Sequence, residues 1–150
     1  MKKRPLGQTG ISVSVLGMGG LFVSQVGGKG REQAQEAIHR CLELGVNYID
    51  TAPSYADSEE VLGLALEGVS QPYVISTKLG GRPEPFDPKN KDLLRRSIDN
   101  SLKLLKKDVI DILMVHEPDR PGQYDWWDNY DNYHGPVSEI LAQLKSEGII

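Results

Sequence analysis

The chain has 150 residues, of which 39% are hydrophobic and 25% are charged, and its formal net charge at pH 7 is −4. This composition is typical of a globular protein with a core and argues against a disordered or fibrous chain. The acidic balance provides no basic surface for nucleic acid or anionic lipid. No apolar run approaches the roughly 18 residues that a membrane span needs, and the single Cys41 allows no internal disulfide. We therefore expect a cytoplasmic protein that binds neither nucleic acid nor membranes.

The first elements in chain order are a hairpin, a strand and a helix. The segment RPLGQTGISVSV predicts a short β-hairpin whose turn lies between Gly7 and Gly10. A second strand is predicted near Ser14–Met18, and residues Ser24–Gly30 are predicted to form a glycine-rich loop. The segment REQAQEAIHRCLELG then has the spacing of an amphipathic helix that ends at Gly45. Its predicted apolar face consists of Ala34, Ala37, Ile38, Cys41 and Leu42.

The remainder of the chain alternates between apolar strands and helices. Strands are predicted in VNYID, PYVISTK and VIDILMVH, and helices in DSEEVLGLALEG, KDLLRRSIDNSLKLLK and PVSEILAQLKSEG. Asp57 or Ser58 is the expected N-cap of the first of these helices, and Pro136 begins the last one. A long polar and aromatic loop is predicted over Glu117–Gly135. The middle helix carries one apolar stripe, formed by Leu94, Ile98, Leu102 and Leu105.

The strands are apolar throughout, which is typical of a parallel sheet covered by helices. Two α/β architectures fit this order: an open doubly wound sheet, and the first half of a (β/α)8 TIM barrel. A doubly wound nucleotide-binding sheet would need a G-x-G-x-x-G motif, but GMGGLF has Phe22 where the third glycine belongs. The segment GGKGRE lacks the spacing and the Ser/Thr of a P-loop. Both segments are better explained as flexible turns than as nucleotide sites.

Four ionisable residues follow or end the predicted strands. Asp50 ends the strand in VNYID, and Tyr55 lies in the loop directly after it. Lys78 ends the strand in VISTK, and His116 ends the strand in ILMVH. In a parallel barrel the carboxyl ends of the strands share the face on which active sites are built. Each residue alone has a structural explanation, as a turn cap, a surface amine or a core histidine, but four in successive units favour a functional site.

This set of groups suits proton transfer to a carbonyl oxygen. A phenol titrates near pH 10, and a neighbouring ammonium lowers the pKa of a phenol by favouring the phenolate. A carboxylate keeps the ammonium charged and in place, and a histidine can hydrogen-bond the substrate oxygen. The set contains no nucleophile for acyl transfer and no second carboxylate for glycoside hydrolysis, and no His/Cys cluster predicts a metal site.

The segments YIDTAPSYADSEEVLGLAL, VISTKLG and DILMVHEPD, in this order after PLGQTGISVSVLGMGG, resemble the aldo-keto reductase family. The resemblance runs through the entire chain and implies a (β/α)8 barrel closed at its base by the N-terminal hairpin. It also implies a nicotinamide cofactor, usually NADP(H), with NAD(H) as the alternative. The implied catalytic tetrad, with the tyrosine as proton donor, is Asp50, Tyr55, Lys78 and His116. The residues matching positions beside the nicotinamide are Gly19, Gly20 and Leu21, together with Asp50.

The start of the last loop carries a hint about the substrate. The sequence HEPD resembles the sugar-dehydrogenase branch of the family more than the aldose reductases, which commonly have a tryptophan after the histidine. Loops on this face shape the substrate pocket in the family, and the aromatic residues Trp126 and Trp127 suit a small carbonyl or sugar substrate. Tyr55 and His116 would contact the same substrate. The alternative is a surface loop whose aromatic side chains pack on the rim of the barrel.

Length limits this interpretation, because a complete barrel needs about 250 residues. Residues 1–150 are interpreted as one aldo-keto-reductase-like domain truncated after about four β/α units. A half-barrel leaves the edges of its first and fourth strands unpaired. Three explanations stay open: a fragment of a longer enzyme, a half-barrel that pairs with its own copy or a separate C-terminal half, and a family member without turnover. The alternative function is therefore a non-catalytic, cofactor-binding or regulatory subunit.

Overall fold

The structure is a computed structural model that describes residues 1–28, 30–82, 84–119 and 123–150. Parts of the predicted glycine-rich and aromatic loops, at positions 29 and 120–122, lie outside the described residues.

The chain begins with the predicted hairpin. Strand β1 (Lys3–Pro5) pairs antiparallel with β2 (Ser12–Ser14), and Arg4 lies opposite Val13. The turn between the strands uses left-handed backbone at Gly7 and Gly10, where φ is 55° and 79°. Glycine adopts these angles without steric cost, which explains the predicted position of the turn.

A four-stranded parallel sheet and four α-helices follow the hairpin. The strands are β3 (Met18–Gly19), β4 (Tyr48–Asp50), β5 (Val74–Leu79) and β6 (Ile112–Val115), paired in the order β3-β4-β5-β6. The helices are α1 (Arg31–Glu43), α2 (Ser58–Ala65), α3 (Lys91–Leu105) and α4 (Pro136–Ser146). Each strand pairs with the next one along the chain, whereas a doubly wound sheet reverses its strand order. The observed order within the described residues is therefore that of a singly wound β/α sheet.

The predicted second strand near Ser14–Met18 is wrong in its extent, because the parallel strand contains only Met18–Gly19. The Ser14 hydroxyl donates to the Leu16 carbonyl over 2.5 Å, and this contact turns the chain between hairpin and sheet. Val15 and Leu16 consequently stand 45% and 62% exposed.

The predicted apolar face of α1 is too wide. Its buried residues are Ala34, Ile38 and Leu42, at intervals of four, whereas Ala37 is exposed and Cys41 is only half-buried. The physical reason is that α1 packs mainly against α2 and the 3-10 turn Gly20–Val23. A narrow contact of this kind buries one row of side chains on a helix.

The prediction that the strands are buried on both faces holds fully for the face that the helices cover and only in part for the other face. In β5, Ile75, Thr77 and Leu79 are fully buried against the helices, whereas on the other face Ser76 is fully buried and Lys78 is half-buried. In β6, Met114 is 37% exposed. The face of the sheet away from the helices is therefore the more open one.

The helical layer is tightly packed where α2 crosses α3. A Cβ atom placed on Gly63 would lie 2.0 Å from the carbonyl oxygen of Leu104, so only glycine allows this approach. The predicted stripe on α3 packs into the core, with Leu94, Ile98 and Leu105 fully buried and Leu102 partly buried. Within the described part of the chain, no helix has both the length and the apolarity to cross a membrane.

Candidate active site

The carboxyl ends of β4 and β5 carry an ion pair. Lys78 Nζ lies 2.8 Å from Asp50 Oδ2 and also donates to the Thr51 carbonyl oxygen over 2.9 Å. The second oxygen of Asp50 accepts a 2.9 Å hydrogen bond from the Ser76 hydroxyl. Asp50 lies beside Ser76 in the register of the two strands, so side chains two residues apart on β5 hold its two oxygens. The Lys78 side chain is 12% exposed, and its ammonium is therefore held in one position.

Tyr55 lies in the tight turn between β4 and α2. Its backbone N–H donates to the Ala52 carbonyl, and its carbonyl accepts from the Ser58 N–H. The Ser58 hydroxyl donates to Gly20 over 2.7 Å and accepts from Thr51 over 2.7 Å, which ties the turn to the end of β3. Lys78 Nζ lies 5.0 Å from the centroid of the Tyr55 ring, within the range of a cation–π contact.

His116 directly follows β6, and its backbone N–H donates to the Leu79 carbonyl over 3.1 Å. Its ring meets the Tyr55 ring edge-on, with 5.8 Å between the centroids. Burial lowers the pKa of His116, and the positive charge of Lys78 lowers it further, so the neutral imidazole is favoured. The four residues that the sequence places at successive strand ends thus lie in one cluster, as the parallel sheet requires; their catalytic roles stay predictions.

The N-cap predicted for α2 has a different function. Asp57 occupies the N-cap position, but its side chain makes no capping hydrogen bond. Its carboxylate instead accepts from the Gln25 backbone N–H over 2.8 Å and lies 3.5 Å from the Arg31 guanidinium. Ser58 does not cap the helix either, because its hydroxyl donates to Gly20. Residues before and at the start of α1 bind both side chains. A capping rule based on the local sequence does not consider such contacts.

Besides Asp50, three residues are predicted beside a nicotinamide, and their surroundings differ. Gly19 lies next to Asp50 in the parallel register, and a Cβ on Gly19 would meet no atom within 4 Å. Gly20 is buried, and a Cβ there would lie 2.8 Å from both the Asp50 carbonyl and the Ser58 hydroxyl. Leu21 is half-buried. Gly19 therefore borders open space at the strand ends, whereas Gly20 allows the segment after β3 to pack closely against the end of β4 and the start of α2.

The two tryptophans predicted to contact substrate also differ. Trp126 is fully buried, and its ring packs against Phe86 and Tyr124 in the core below β5 and β6. Trp126 thus lies in the core and not on the rim. Trp127 is 8% exposed and borders a cavity of about 510 Å³. The cavity is lined by Pro118, Asp119, Trp127, Tyr130 and Tyr133.

Three polar residues around the cluster were not singled out by sequence reasoning, although they lie within the segments YIDTAPSY and VISTK. Ser76 and Thr51 hold the Asp50–Lys78 pair, as described above. The hydroxyl of Ser54 lies 3.2 Å from His116 Nδ1. Ser54 precedes Tyr55 in the chain, so its place beside the catalytic candidate is the signal that could have indicated it.

Comparison with known proteins agrees with this geometry. The sequence model of the aldo/keto reductase family matches residues 15–150. The chain is 33% identical to L-galactose dehydrogenase from Arabidopsis thaliana, with 97% of this chain and 45% of that protein covered. It is 37% identical to 6-dehydroglucose reductase from Novosphingobium aromaticivorans, with 77% of this chain and 41% of that protein covered. A solved putative aldo-keto reductase from Pseudomonas aeruginosa superposes with a TM-score of 0.80 at 36% identity, with 99% of this chain and 56% of that chain covered.

The chain belongs to the aldo/keto reductase family. Aldo-keto reductases use nicotinamide cofactors, and relatives of this chain are named as dehydrogenases and reductases. The chain spans about half the length of the relatives it matches.

Proposed function

We propose that this chain supplies the catalytic groups of an NAD(P)H-dependent carbonyl reductase that interconverts aldehydes or ketones and alcohols. The observation that carries the proposal is the position of Lys78 Nζ, 2.8 Å from Asp50 and 5.0 Å from the Tyr55 ring centroid. A single lysine is thus held by a carboxylate and faces a phenol at the carboxyl ends of adjacent parallel strands.

Each group has a distinct role in the proposed reduction. Tyr55 donates the proton to the carbonyl oxygen as the carbon is reduced, and Lys78 stabilises the negative charge left on the phenolate by Coulomb attraction. Asp50 holds Lys78 in position through the ion pair. His116 donates a hydrogen bond to the carbonyl oxygen and orients it. In the direction of alcohol oxidation, Tyr55 accepts the proton.

The residues at the end of β3 fit the nicotinamide ring of the cofactor, which supplies the hydride when bound. Gly19 is exposed beside Asp50, and the space above its Cα is open, so a flat ring meets no side chain there. Leu21 is the apolar neighbour on the same segment and is half-buried. We assign NADP(H) as the preferred cofactor and NAD(H) as the alternative.

A (β/α)8 barrel requires strands that would pair with the free edges of β3 and β6. Within the described residues, the sequential strand order and the half-exposed face of the sheet fit the first four units of such a barrel. We propose that these strands come from further polypeptide or from a second copy of the chain.

We propose a hydroxylated carbonyl compound, such as a sugar, as the substrate class. The cavity of about 510 Å³ in the loop that follows His116 in the chain combines the aromatic side chains of Trp127, Tyr130 and Tyr133 with the carboxylate of Asp119. Aromatic faces pack against C–H surfaces of a sugar ring and a carboxylate accepts from its hydroxyls. The two relatives named above are a galactose dehydrogenase and a dehydroglucose reductase.

The test is a chimera in which residues 1–150 are joined to the C-terminal half of the Pseudomonas aeruginosa aldo-keto reductase. We expect oxidation of NADPH with aldehydes, ketones and aldoses, followed by nicotinamide absorbance. Replacing the proton donor, Tyr55→Phe, is expected to lower turnover by about 10²- to 10⁴-fold. A folded chimera that binds NADPH, followed by its fluorescence, but reduces no carbonyl would favour the non-catalytic subunit instead. Turnover that survives Tyr55→Phe unchanged would refute the assignment of Tyr55.

A further inference from the structure

Ser54 and His116 are in contact across the mouth of the sheet although they are 62 residues apart in the chain. The Ser54 hydroxyl oxygen lies 3.2 Å from Nδ1 of the imidazole. Ser54 belongs to the turn after β4, and His116 directly follows β6, so the contact spans the intervening strand β5. Ser54 is exposed, whereas Ser58 is buried and uses its hydroxyl to bind the Gly20 carbonyl.

A pair of glycines makes this contact possible. Gly80 and Gly81 follow β5 with φ of 127° and 92°, in the left-handed region that favours glycine. A Cβ on Gly81 would lie 3.2 Å from Ser54 Cβ, and a Cβ on Gly80 would lie 3.5 Å from His116 Cβ. The turn after β5 therefore leaves no side chain between Ser54 and the histidine.

The core supports the same turn from below. A Cβ on Gly80 would lie 3.0 Å from Cη2 of Trp126, whose ring is fully buried. His116 is additionally held by its backbone hydrogen bond to Leu79. The backbone of His116 is therefore held in place, the turn beside it rests on a buried tryptophan, and the Ser54 hydroxyl is the polar partner of Nδ1.

We propose that Ser54 is a positioning residue that donates its hydroxyl proton to His116 Nδ1 and thereby selects the tautomer with the proton on Nε2. A neutral imidazole carries one N–H and one lone pair, and a partner that donates to Nδ1 leaves the N–H on Nε2. Only this tautomer offers a donor on Nε2 to a carbonyl oxygen. The inference deepens the proposed function and rests on it for the role of that donor.

The charged and titratable groups around the ring agree with a neutral imidazole. Burial and the charge of Lys78 lower the pKa of His116, whereas Glu117 and Asp50 oppose this shift. Tyr55 is a further titratable neighbour among the described residues and meets the ring edge-on. The neutral imidazole is therefore favoured at neutral pH, and the serine influences which of its two nitrogens carries the proton.

The test is nitrogen NMR of the imidazoles in the ¹⁵N-labelled full chain, without cofactor, at about pH 8, where histidine is neutral. Long-range proton–nitrogen correlations distinguish the protonated from the bare ring nitrogen. The chain has 3 histidines, and the His116→Gln variant identifies the signals of His116. We expect Nε2–H as the major tautomer.

Two variants of Ser54 distinguish the effect of the hydroxyl from a general effect on the fold. Ser54→Ala is expected to lower the ratio of Nε2–H to Nδ1–H by about two- to tenfold, the range of one lost hydrogen bond. Ser54→Thr keeps a hydroxyl and is expected to preserve the ratio. Ser146→Ala, which removes an exposed serine hydroxyl from α4, is the matched control and should change nothing at His116.

Either of two results would overturn the proposal: Nδ1–H as the major form in the unmodified chain, or the same tautomer ratio in Ser54→Ala as in the unmodified chain. The readout needs no turnover and no bound nucleotide. An inactive chimera would count against the proposed function but would not change the tautomer measured by NMR. The two proposals can therefore fail separately.

Discussion

Thr77 donates its hydroxyl proton to the carboxylate of Glu59, with 2.6 Å between Oγ1 and Oε1, on the helical side of the sheet. The next residue, Lys78, points to the opposite face and donates to Asp50. Adjacent residues of β5 are thus held by two carboxylates, one on each face of the sheet. Glu59 is fully buried and forms a 2.5 Å ion pair with Arg82, which begins the segment after the Gly80–Gly81 turn.

The first prediction concerns this buried carboxylate. Burial raises the pKa of Glu59, and the Thr77 hydroxyl and the Arg82 charge oppose that shift. Replacing the residue, Glu59→Ala, removes the acceptor of the buried Thr77 hydroxyl and the partner of Arg82, whose side chain is 26% exposed, and is expected to lower the free energy of unfolding by about 1–3 kcal/mol. The measurement is urea unfolding followed by circular dichroism.

An exposed ion pair provides the control for that experiment. Arg40 and Glu43 lie 2.9 Å apart on the surface of α1, with side chains 66% and 59% exposed. Glu43→Ala is expected to cost less than about 1 kcal/mol. Equal losses for Glu59→Ala and Glu43→Ala would contradict the structural importance of the buried pair.

The second prediction concerns the charge that Lys78 places beside His116. Burial is the larger cause of the lowered pKa of His116, and the Lys78 ammonium is the second. Lys78→Met removes the ammonium and leaves Asp50 without its cation, and both changes favour the imidazolium. The pKa of His116, measured by NMR titration, is therefore expected to rise. Lys106→Met, which removes the ammonium paired with Glu67 on the surface, should leave it unchanged.

The third prediction links the same histidine to stability. Because the pKa of His116 is lowered in the folded chain, the unfolded chain binds its proton at a higher pH. The free energy of unfolding therefore falls as pH decreases through the ordinary histidine pKa of about 6.5. Urea midpoints between about pH 7.5 and about pH 5.5 measure this slope. We expect a shallower slope in His116→Gln, and an identical slope would show that other groups cause it.

The fourth prediction concerns the crossing of α2 and α3. Gly63→Ala places a methyl group where the Leu104 carbonyl oxygen would be 2.0 Å away, so the helices must separate. The expected loss of stability is about 1–3 kcal/mol, measured by thermal or urea unfolding. Gly30→Ala is the comparison, because a Cβ on Gly30 meets no atom within 4 Å. A Gly63→Ala variant as stable as Gly30→Ala would show that the crossing adjusts freely.

The order of the elements and the residues at the strand ends could be predicted from the sequence alone. The hairpin, the four helices and the positions of Asp50, Lys78 and His116 follow from hydrophobic period, glycine placement and strand termini, which are local properties. Parallel pairing then places the carboxyl ends of these strands at the same edge of the sheet. This is why the cluster could be named before any contact was known.

The partner of each polar side chain, by contrast, depends on the tertiary packing. Asp57 bonds Gln25 instead of capping α2, and Trp126 packs below the sheet instead of lining a pocket. Ser54 meets His116, and Glu59 meets Arg82. These contacts join segments far apart in the chain, and the space and acceptors available there depend on how the helices and loops pack. Local sequence patterns contain the residue types of such contacts but not the distances between them.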